Sequence, residues 1–329
     1  MSELPFPALI RRVSCRYTEH GTDTLLDFLA RRFNYLSRAE WLAQLQAGNL
    51  TVDQQPAVPE QILQLDALLE FRPRTLQEPR VSWEIQTLFE DEHLLLLNKP
   101  PSLPCHPAGA FFNHTLWAWL KQSKKLANVH FCNRLDRESS GIVSVGKNSS
   151  AAALLNQALQ QPEACKEYLV LVHGHFSSAQ CCPGWLIPDN ESIIRKKRRF
   201  VESLNGESGR SESVSTDFVR LAYHAKENIS LLKATLHTGR MHQIRASLCS
   251  LGFPVIGDKL YGLDERLFLK QADNCLSEED QQRLILPHQA LHAWKIQFCR
   301  SNHKIPNQFT AGVPATFQAL LDQLKFSLP

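Results

Sequence analysis

Two helical patterns lie near the start of the chain. Residues 22–33 repeat apolar side chains at the spacing of one helix face, at Leu25, Leu26, Phe28, Leu29 and Phe33. Ser37 begins a second helix, because its side chain can accept from the backbone of Glu40 while the Glu40 carboxylate bonds back. Gly48 ends that helix. Short apolar runs at residues 49–52 and 67–71 then predict strands.

A proline-containing segment, Arg72 to Trp83, predicts a linker after this small unit. Beyond it, strand-like and helical runs alternate, with no repeat of about 20 to 50 residues. The predicted strands are residues 94–97, 142–145, 168–172 and 229–236, and the predicted helices lie near residues 115–122, 151–160 and 242–251. The varied connections indicate an α+β fold with a mixed, largely antiparallel sheet. The polar stretch from Asn205 to Ser215 predicts a flexible loop.

These patterns divide the chain into a small α+β unit at residues 1–78, a linker at 79–84 and a large domain at 85–329. A chain of 329 residues is long enough for such a division. The formal net charge of +3 permits a polyanionic partner without requiring one, so local clusters must decide. We expect a monomer.

Cysteine spacing and apolar runs exclude several classes of protein. The nine cysteines form no repeated C-x-x-C pairs, which excludes a zinc knuckle and favours reduced thiols in a cytosol. No apolar run has the length of a signal peptide or of a membrane span, roughly 18 residues, so we expect a cytoplasmic protein without a membrane partner. No G-x-G-x-x-G follows a strand and no Walker-type loop is present, so no cofactor is indicated.

The most informative stretch is residues 133–141, where Asp136 lies between Arg134 and Arg137. A carboxylate beside fixed positive charge stays ionised at neutral pH, as a nucleophile or base requires. An Asp in a surface salt-bridge cluster would give the same local pattern, and such clusters are common. Neighbouring blocks of sequence are needed to decide.

Those blocks resemble the RluA-type pseudouridine synthases. The motif Arg134-Leu135-Asp136 with its Ser-Gly turn is similar to the catalytic motif of that family. Further blocks match in the same order at residues 91–107, 166–174, 238–245, 256–262 and 291–298. One position departs: the family motif usually opens with His, and Asn133 stands here. Because Asn cannot titrate near pH 7, we expect no proton transfer at this position.

The resemblance implies isomerisation of uridine to pseudouridine, without redox cofactor, ATP or metal. It implies that Asp136 is the essential carboxylate, which either attacks ribose C1′ or removes the 2′ proton. Tyr168 would pack against the base and help to take the C5 proton, although a strand tyrosine is also common in a core. Arg245 would pair with Asp136, because a guanidinium never deprotonates and can hold both carboxylate oxygens.

RNA contacts follow from the same resemblance. Arg134 would touch the flipped nucleotide, and Arg240 and His242 would support the site or contact phosphate, although Arg240 could equally cap a helix. The densest charge run comprises Arg195, Lys196, Lys197, Arg198 and Arg199. Such runs are often solvated loops, but its place in the large domain favours contact with the RNA backbone.

The first unit resembles the S4-like RNA-binding domain found in many bacterial members of the family. Its helix–helix–strand order and Arg31, Arg32 and Arg38 carry the resemblance, whereas the Gly that usually precedes the final strand is absent and Leu65-Asp66-Ala67 stands there instead. We interpret Arg31 and Arg38 as RNA contacts. This unit favours ribosomal RNA as the structured RNA partner, with tRNA as the alternative.

Two other functions fit parts of the sequence. A zinc hydrolase could use His173 and His175 with Cys181 and Cys182, or His288 with His292. A non-catalytic RNA-binding protein could keep the fold and lose the chemistry, and Asn133 is the feature in its favour. The presence together of Asp136, Tyr168 and Arg245 favours the enzyme.

Overall fold

The computed structural model describes residues 4–19, 23–33, 36–72, 78–204, 209–298 and 308–329. It divides into two units. Unit 1 contains Met1–Arg80 and Pro107–His114, and unit 2 contains Val81–His106 and Thr115–Pro329. The loop at 107–114 therefore belongs with unit 1, although its place in the chain lies inside the predicted large domain.

Unit 1 packs two helices on a small antiparallel sheet. The helices are α1 (Leu25–Arg32) and α2 (Arg38–Gln46). The strands are β1 (Val13–Arg16), β2 (Leu50–Val52), β3 (Gln55–Pro56) and β4 (Leu68–Phe71), in the order β1-β4-β2-β3. The predicted capping box at Ser37 is present, and the predicted apolar face of α1 is buried.

Asp66 explains how the final strand of unit 1 is reached without the expected glycine. Its backbone has φ 65°, in the left-handed region that glycine enters most easily. Its amide donates to the Tyr17 carbonyl at 2.8 Å. Because Asp is one of the few side chains that tolerate this conformation, the turn forms with Asp66 in place of Gly.

The loop at 107–114 is held to unit 1 by one carboxylate. Glu78 accepts from the backbone amides of Phe112, Asn113 and His114 at 2.7 to 2.8 Å. The Asn113 side chain also accepts from the amide of Leu9 at 2.7 Å and donates to its carbonyl. These bonds satisfy backbone groups that a loop would otherwise leave open.

Unit 2 is built on an eleven-stranded sheet. Its strands are β5 (Gln86–Glu90), β6 (Leu94–Lys99), β7 (His130–Phe131), β8 (Ser140–Gly146), β9 (Cys165–His173), β10 (Ala179–Pro188), β11 (Arg198–Val201), β12 (Glu212–His224), β13 (Ile229–Leu236), β14 (Leu291–Gln297) and β15 (Gln308–Thr310). The main order is β11-β10-β12-β13-β9-β14-β8-β6-β5. Only the β14–β8 pair is parallel among the described strands, which confirms the predicted mixed, largely antiparallel sheet.

The helices of unit 2 are α3 (Leu116–Gln122), α4 (Ser149–Ala158), α5 (Gln243–Ser250), α6 (Arg266–Ala272), α7 (Glu278–Leu284) and α8 (Ala315–Gln323). The first three match predicted helices. In the described part of the chain, no helix combines the length and apolar character needed to cross a bilayer.

The prediction of a flexible loop from Asn205 to Ser215 is wrong for its last residues, from Glu212 onward. Strand β12 begins at Glu212 and pairs with β10, with Val214 opposite Gly184 and buried. Cross-strand packing of Val214 outweighs the polar composition around it. Residues 205–208 lie outside the described part of the chain.

A glycine allows β8 and β14 to meet beside the motif of residues 133–141. Gly141 has φ 109°, and a side chain there would place its Cβ 2.2 Å from the carbonyl oxygen of Ala293. Gly141 and Ala293 are register partners in the parallel β8–β14 pair. The close approach therefore requires glycine directly after the motif that carries Asp136.

Candidate active site

Asp136 lies in the loop that connects β7 to β8. Its backbone carbonyl accepts from the amide of Ser139 at 3.2 Å, which makes the motif a tight turn before the buried strand. Its carboxylate is 27% exposed, so a substrate can reach it. Gln289 donates to the Ser139 hydroxyl and also hydrogen-bonds the Asp136 carboxylate. The loop is therefore fixed at both its backbone and its side chain.

Arg245 pairs with Asp136, as the resemblance implies. This arginine lies in the first turn of α5, and its Nη1 donates to Oδ2 of Asp136 at 2.6 Å. Its other two nitrogens donate to a different carboxylate: Nε to Oδ2 of Asp258 at 2.6 Å, and Nη2 to Oδ1 at 2.8 Å. The two-oxygen grip expected on Asp136 is thus made on Asp258, and Asp136 receives one bond.

Asp258 is a member of the site that the sequence did not single out. Its side chain is fully buried, and its Oδ1 also accepts from the amides of Leu260 and Tyr261 at 2.9 Å. Burial raises the pKa of this carboxyl, but Arg245 and the two amides outweigh it and hold the pKa below its usual value. The signal in the sequence was a lone carboxylate beside Gly257 in a block, residues 253–262, that is apolar apart from Asp258 and Lys259.

The electrostatics of Asp136 favour the ionised form. Burial alone raises its pKa, whereas Arg245, His242 and a hydrogen bond from Gln289 lower it, and the net pKa lies below the ordinary value. Because the guanidinium is shared with Asp258, it does not neutralise Asp136 completely. At pH 7 the group is a carboxylate with one tightly held oxygen and one oxygen open to other partners.

His242 faces the second oxygen of Asp136. Its Nε2 lies 3.7 Å from Oδ1, and its Nδ1 lies 3.0 Å from the hydroxyl of Tyr261. Its backbone has φ 58°, a left-handed conformation at the position just before α5. Burial lowers the pKa of His242 to about 4, so the imidazole is neutral at pH 7. His242 therefore lies at the carboxylate, which favours a supporting role in the site over contact with phosphate.

Tyr168 lies on β9 and is half-buried. Burial, with a further contribution from the charge of Asp136, raises the pKa of Tyr168 to about 12. The side chain is therefore a protonated phenol at pH 7. It can pack against a base, donate a hydrogen bond or pass on a proton, but it carries almost no phenolate.

Asn133 stabilises the motif loop against β8. Its Nδ2 donates to the carbonyl of Ile142 at 2.9 Å, and its Oδ1 accepts from the amide of Ser144 at 2.7 Å. The side-chain amide of Asn133 thus donates one hydrogen bond to β8 and accepts another from it. This is a positioning role that a non-titrating side chain can perform.

A buried ion pair lies two residues after Asp136 in the chain. Lys259 donates to Glu138 at 2.9 Å and to the carbonyl of Pro287 at 2.7 Å. Gln271 donates to the other oxygen of Glu138 at 2.7 Å. Burial raises the pKa of Glu138, and Lys259 outweighs that effect and lowers it. This pair joins the loop of Asp136 to the segment that carries Asp258.

Lys99 is fully buried and holds the same loop from the other side. Its ammonium donates to the carbonyls of Pro100 and Leu103, both at 2.9 Å, and to that of Arg137 at 3.3 Å. Burial lowers the pKa of Lys99 to about 8, so it is still charged at pH 7. The matching block at residues 91–107 contains this residue, but the sequence assigns it no role.

The basic run 195–199 divides into different environments. Arg195 and Lys196 are exposed, with the Lys196 ammonium 4.1 Å from the ring centre of Phe268. Lys197 instead forms ion pairs within the protein. Its partners are Glu265 at 2.7 Å and Asp189 at 3.6 Å.

The other predicted RNA contacts lie at two places. Arg134 and Arg240 are exposed in unit 2, with Arg240 Nε 3.4 Å from the Ser213 carbonyl and its amide donating to Gln243. Arg198 and Arg199 are half-buried at the start of β11. In unit 1, Arg31 pairs with Glu19 and Asp23, and Arg38 pairs with Asp27 at 3.0 Å.

The residues considered for zinc have other contacts. His292 is buried between the Ser140 hydroxyl at 2.8 Å and the Ala311 carbonyl at 3.1 Å. His288 lies 3.3 Å from the hydroxyl of Ser102, and Cys181 faces Asp217. Among the described residues, no group of three or more His, Cys, Asp or Glu side chains could hold a metal ion.

Comparison with known proteins gives a consistent family. Residues 93–250 match the model of a family described as RNA pseudouridylate synthase. An uncharacterized RNA pseudouridine synthase of Helicobacter pylori is 30% identical over 243 residues, covering 71% of this chain and 68% of the relative. The ribosomal large subunit pseudouridine synthase D of Zymomonas mobilis is 29% identical, covering 78% and 77%. The mitochondrial tRNA pseudouridine(32) synthase of Saccharomyces cerevisiae is 28% identical, covering 73% and 51%.

A solved structure shares the fold. The human RNA pseudouridylate synthase domain containing 4 superposes with a TM-score of 0.54 at 21% identity, covering 74% of this chain and 94% of that chain. This chain spans 51%, 66% and 61% of the lengths of three of the curated relatives it matches. Residues 93–250, which match the family model, include Asp136, Tyr168 and Arg245. The chain belongs to the RNA pseudouridine synthase family, and within it to the RluA type.

Proposed function

We propose that this protein isomerises uridine to pseudouridine in structured RNA, with Asp136 as the reacting carboxylate. The observation that supports this most is the pairing of Asp136 with a guanidinium that Asp258 already holds. The arrangement keeps a partly exposed carboxylate ionised inside a largely buried site. Such a group is what attack on a sugar carbon or removal of a sugar proton requires.

The reaction breaks the bond from uracil N1 to ribose C1′ and joins C5 to C1′. Asp136 either bonds to C1′ as the N1–C1′ electron pair leaves with uracil, or removes the 2′ proton as that bond breaks. After the base has turned, C5 bonds to C1′ as the Asp136–C1′ bond breaks or, on the second route, as the 2′ proton returns from Asp136 to C2′. The C5 proton is then lost and N1 gains one. Atoms and electrons balance within the nucleotide, so the reaction needs no oxidant or reductant.

Tyr168 and Arg134 have separate roles in this proposal. Tyr168 packs against the base and, as a neutral phenol, relays the C5 proton rather than removing it as a phenolate. A uridine inside a folded RNA must leave its stack, at a cost of roughly a few kcal/mol. Arg134 is exposed two residues before Asp136 and can fill the vacated space.

Ribosomal RNA is the proposed substrate, and unit 1 is proposed as an S4-like domain that selects it. The order of elements in unit 1 and its capping box support this domain type. Arg195, Lys196 and Arg240 are the proposed phosphate contacts of unit 2, because they are exposed. Lys197 is a weaker candidate than the sequence implied, since carboxylates of the protein already pair with it.

The ion pairs of Arg31 and Arg38 reduce their value as phosphate contacts, because their charges are compensated locally. A tRNA substrate is the second candidate, because one relative is named as a tRNA synthase and another as a ribosomal one. The sequence relationship supports both.

The test uses total RNA labelled with tritium at C5 of uracil. The wild-type protein should release label and form pseudouridine, and Asp136→Asn should release none while it still binds RNA. RNA binding without any release by the wild type would favour the non-catalytic alternative. A pseudouridine map of cells with and without the gene then identifies the RNA.

A further inference from the structure

The two oxygens of Asp136 differ in the distance and the charge of the groups that face them. Oδ2 receives a charged donor at 2.6 Å from Arg245. Oδ1 faces Nε2 of His242 at 3.7 Å, beyond hydrogen-bond distance, and the other side chain that hydrogen-bonds the carboxylate, Gln289, is neutral. An oxygen without a tight charged donor keeps more of its basicity.

A chain of hydrogen bonds fixes which nitrogen of His242 carries the proton. The Tyr261 hydroxyl accepts from the amide of Arg198 at 3.1 Å, and it lies 3.0 Å from Nδ1 of His242. The hydroxyl has one hydrogen, and within the described part of the chain Nδ1 is the candidate acceptor that lies within reach of it. Nδ1 therefore accepts, and the proton of the neutral imidazole is on Nε2.

The opposite tautomer fits less well. A proton on Nδ1 would leave the hydrogen of the buried Tyr261 hydroxyl without an acceptor among the described residues. It would also point the lone pair of Nε2 at a carboxylate oxygen. Both arrangements are unfavourable in a buried site.

We propose that His242 is a positioning residue, which presents a neutral Nε2–H to Asp136 and so makes Oδ1 the reacting oxygen. This inference rests on the proposed function and assigns His242 to the carboxylate rather than to phosphate. A neutral donor orients Oδ1 without removing its reactivity, as a second cation at this place would. Tyr261 acts one step further away, by holding the tautomer and the ring.

The site geometry makes the choice of oxygen specific. Arg245 is fixed by Asp258 and cannot move to Oδ1 without losing its paired bonds. Oδ2 is therefore occupied throughout, and the bond to C1′ or to the 2′ proton forms at Oδ1. When that bond forms, Asp136 loses its negative charge. The hydrogen bond from Arg245 to Oδ2 can stay in place during this step.

The first experiment reads the tautomer directly and needs no activity. Long-range proton–nitrogen NMR of the full-length protein labelled at histidine distinguishes Nδ1–H, Nε2–H and the charged ring, and the His242 signal is assigned by its loss in His242→Gln. We expect the Nε2–H tautomer at pH 7, and a mixture of tautomers in Tyr261→Phe. A wild-type ring protonated on Nδ1, or on both nitrogens, would overturn the proposal.

The second experiment measures single-turnover rates from pH 4 to 8 on tritiated transcripts of ribosomal RNA and tRNA. His242→Leu should lower the rate roughly tenfold or more, the scale of residues that orient a reactive group. Its acid limb should move to higher pH, because Asp136 loses a neighbouring group that lowers its pKa. His242→Gln, which keeps a neutral donor and acceptor, should recover most of the rate and the wild-type limb.

The charged and titratable groups around His242 belong to several elements, so controls are needed. Those that face it are Asp136, Arg245, Asp258, Tyr261 and Lys196. His224→Leu changes a histidine at the far end of β12 and should leave rate and pH profile unchanged. Equal losses in His242→Gln and His242→Leu, without a shifted limb, would show a merely structural role. If the wild type releases no tritium, the proposed function fails, while the NMR result still decides the tautomer.

Discussion

Arg245 and Asp258 form a two-point pair, with Nε and Nη2 of the guanidinium at 2.6 and 2.8 Å from the two carboxylate oxygens. The plane of the guanidinium is therefore set by Asp258, a residue that does not touch Asp136. Arg245 also lies 4.9 Å from the ring centre of Tyr261, which adds a stacking contact. The orientation of the Asp136 carboxylate thus depends on Asp258, a more deeply buried side chain.

Replacing Asp258 should damage both stability and catalysis. Asp258→Asn breaks a buried ion pair, which generally costs about 3 to 5 kcal/mol because a buried charge loses its partner. The amide would also turn an NH₂ group toward the guanidinium. We expect a lower urea midpoint and a lower rate per folded molecule. Asp322→Asn, at an exposed position, should change neither, and equal midpoints for the two variants would contradict this account.

Arg245→Lys tests whether geometry or charge matters at this position. One ammonium cannot donate in parallel to Asp258 and also reach Asp136, so a carboxylate loses its partner. If Asp136 is the one left, its pKa rises and the acid limb of the activity profile moves to higher pH. The measurement is tritium release between pH 5 and 8. A profile with the wild-type rate and shape would mean that Arg245 has another task.

Stability should fall between pH 6.5 and pH 4 because of buried neutral histidines. Burial lowers the pKa of His292 to about 4, as it does for His242. The unfolded chain takes up protons at a higher pH than the folded protein, so the stabilising effect is present above the unfolded pKa. It is lost as pH falls toward the folded pKa, by up to about 1.4 kcal/mol per pH unit for each histidine.

Urea unfolding at pH 7 and pH 5 measures this loss, and His292→Gln isolates one of the two histidines. Glutamine can replace the bonds to Ser140 and Ala311, and it does not titrate. The variant should therefore lose less stability than the wild type on going from pH 7 to pH 5. The same loss in both proteins would assign the pH dependence to other groups.

Two truncated proteins test whether unit 1 selects the RNA. Proteins starting at Glu78 and at Val81 both lack most of unit 1, but only the first keeps the carboxylate that holds the loop 107–114. Both should still isomerise uridine in excess short RNA. Both should bind the natural RNA more weakly, with a salt slope shallower by roughly one unit per lost phosphate contact.

The outcome of this comparison separates two roles of the missing segment. Unchanged affinity and slope in both truncated proteins would show that unit 1 is not an RNA-binding unit, and would leave Arg195 and Lys196 as the main docking surface. A lower thermal midpoint in the protein that starts at Val81 alone would measure the contribution of Glu78 to folding.

The sequence predicted those parts of the fold that depend on local pattern. Apolar spacing and the capping box at Ser37 located α1 and α2, and continuous apolar runs located β6, β9 and β13. The strand β12 was missed at its start, because its pairing with β10 is a contact between distant residues. Local composition around Glu212 could not show it.

The sequence predicted the central residues of the site but not the buried side chains that hold them in place. Asp136 and Arg245 could be paired because family blocks contain both. Asp258 was overlooked because a lone carboxylate in an apolar block shows no partner in sequence; Arg245 lies thirteen positions away, on another element. Lys99 and Lys259 were assigned no role from the sequence, because the carbonyl and carboxylate groups that accept from them lie far apart in the chain or are visible only in the fold. The ion pairs of Arg31 with Glu19 and Asp23 could not be predicted either, because the presence of an arginine does not show which carboxylates lie beside it.

The loop 107–114 has a consequence for how this chain could have arisen. The chain passes between the two units at residue 80, again at residue 106 and once more at residue 114. A single exchange of gene segments near residue 80 would transfer the first part of unit 1 without the loop 107–114, whose amides donate to Glu78. A lineage that gains or loses this unit must therefore change two separate stretches of its gene, which favours inheritance of the two units together.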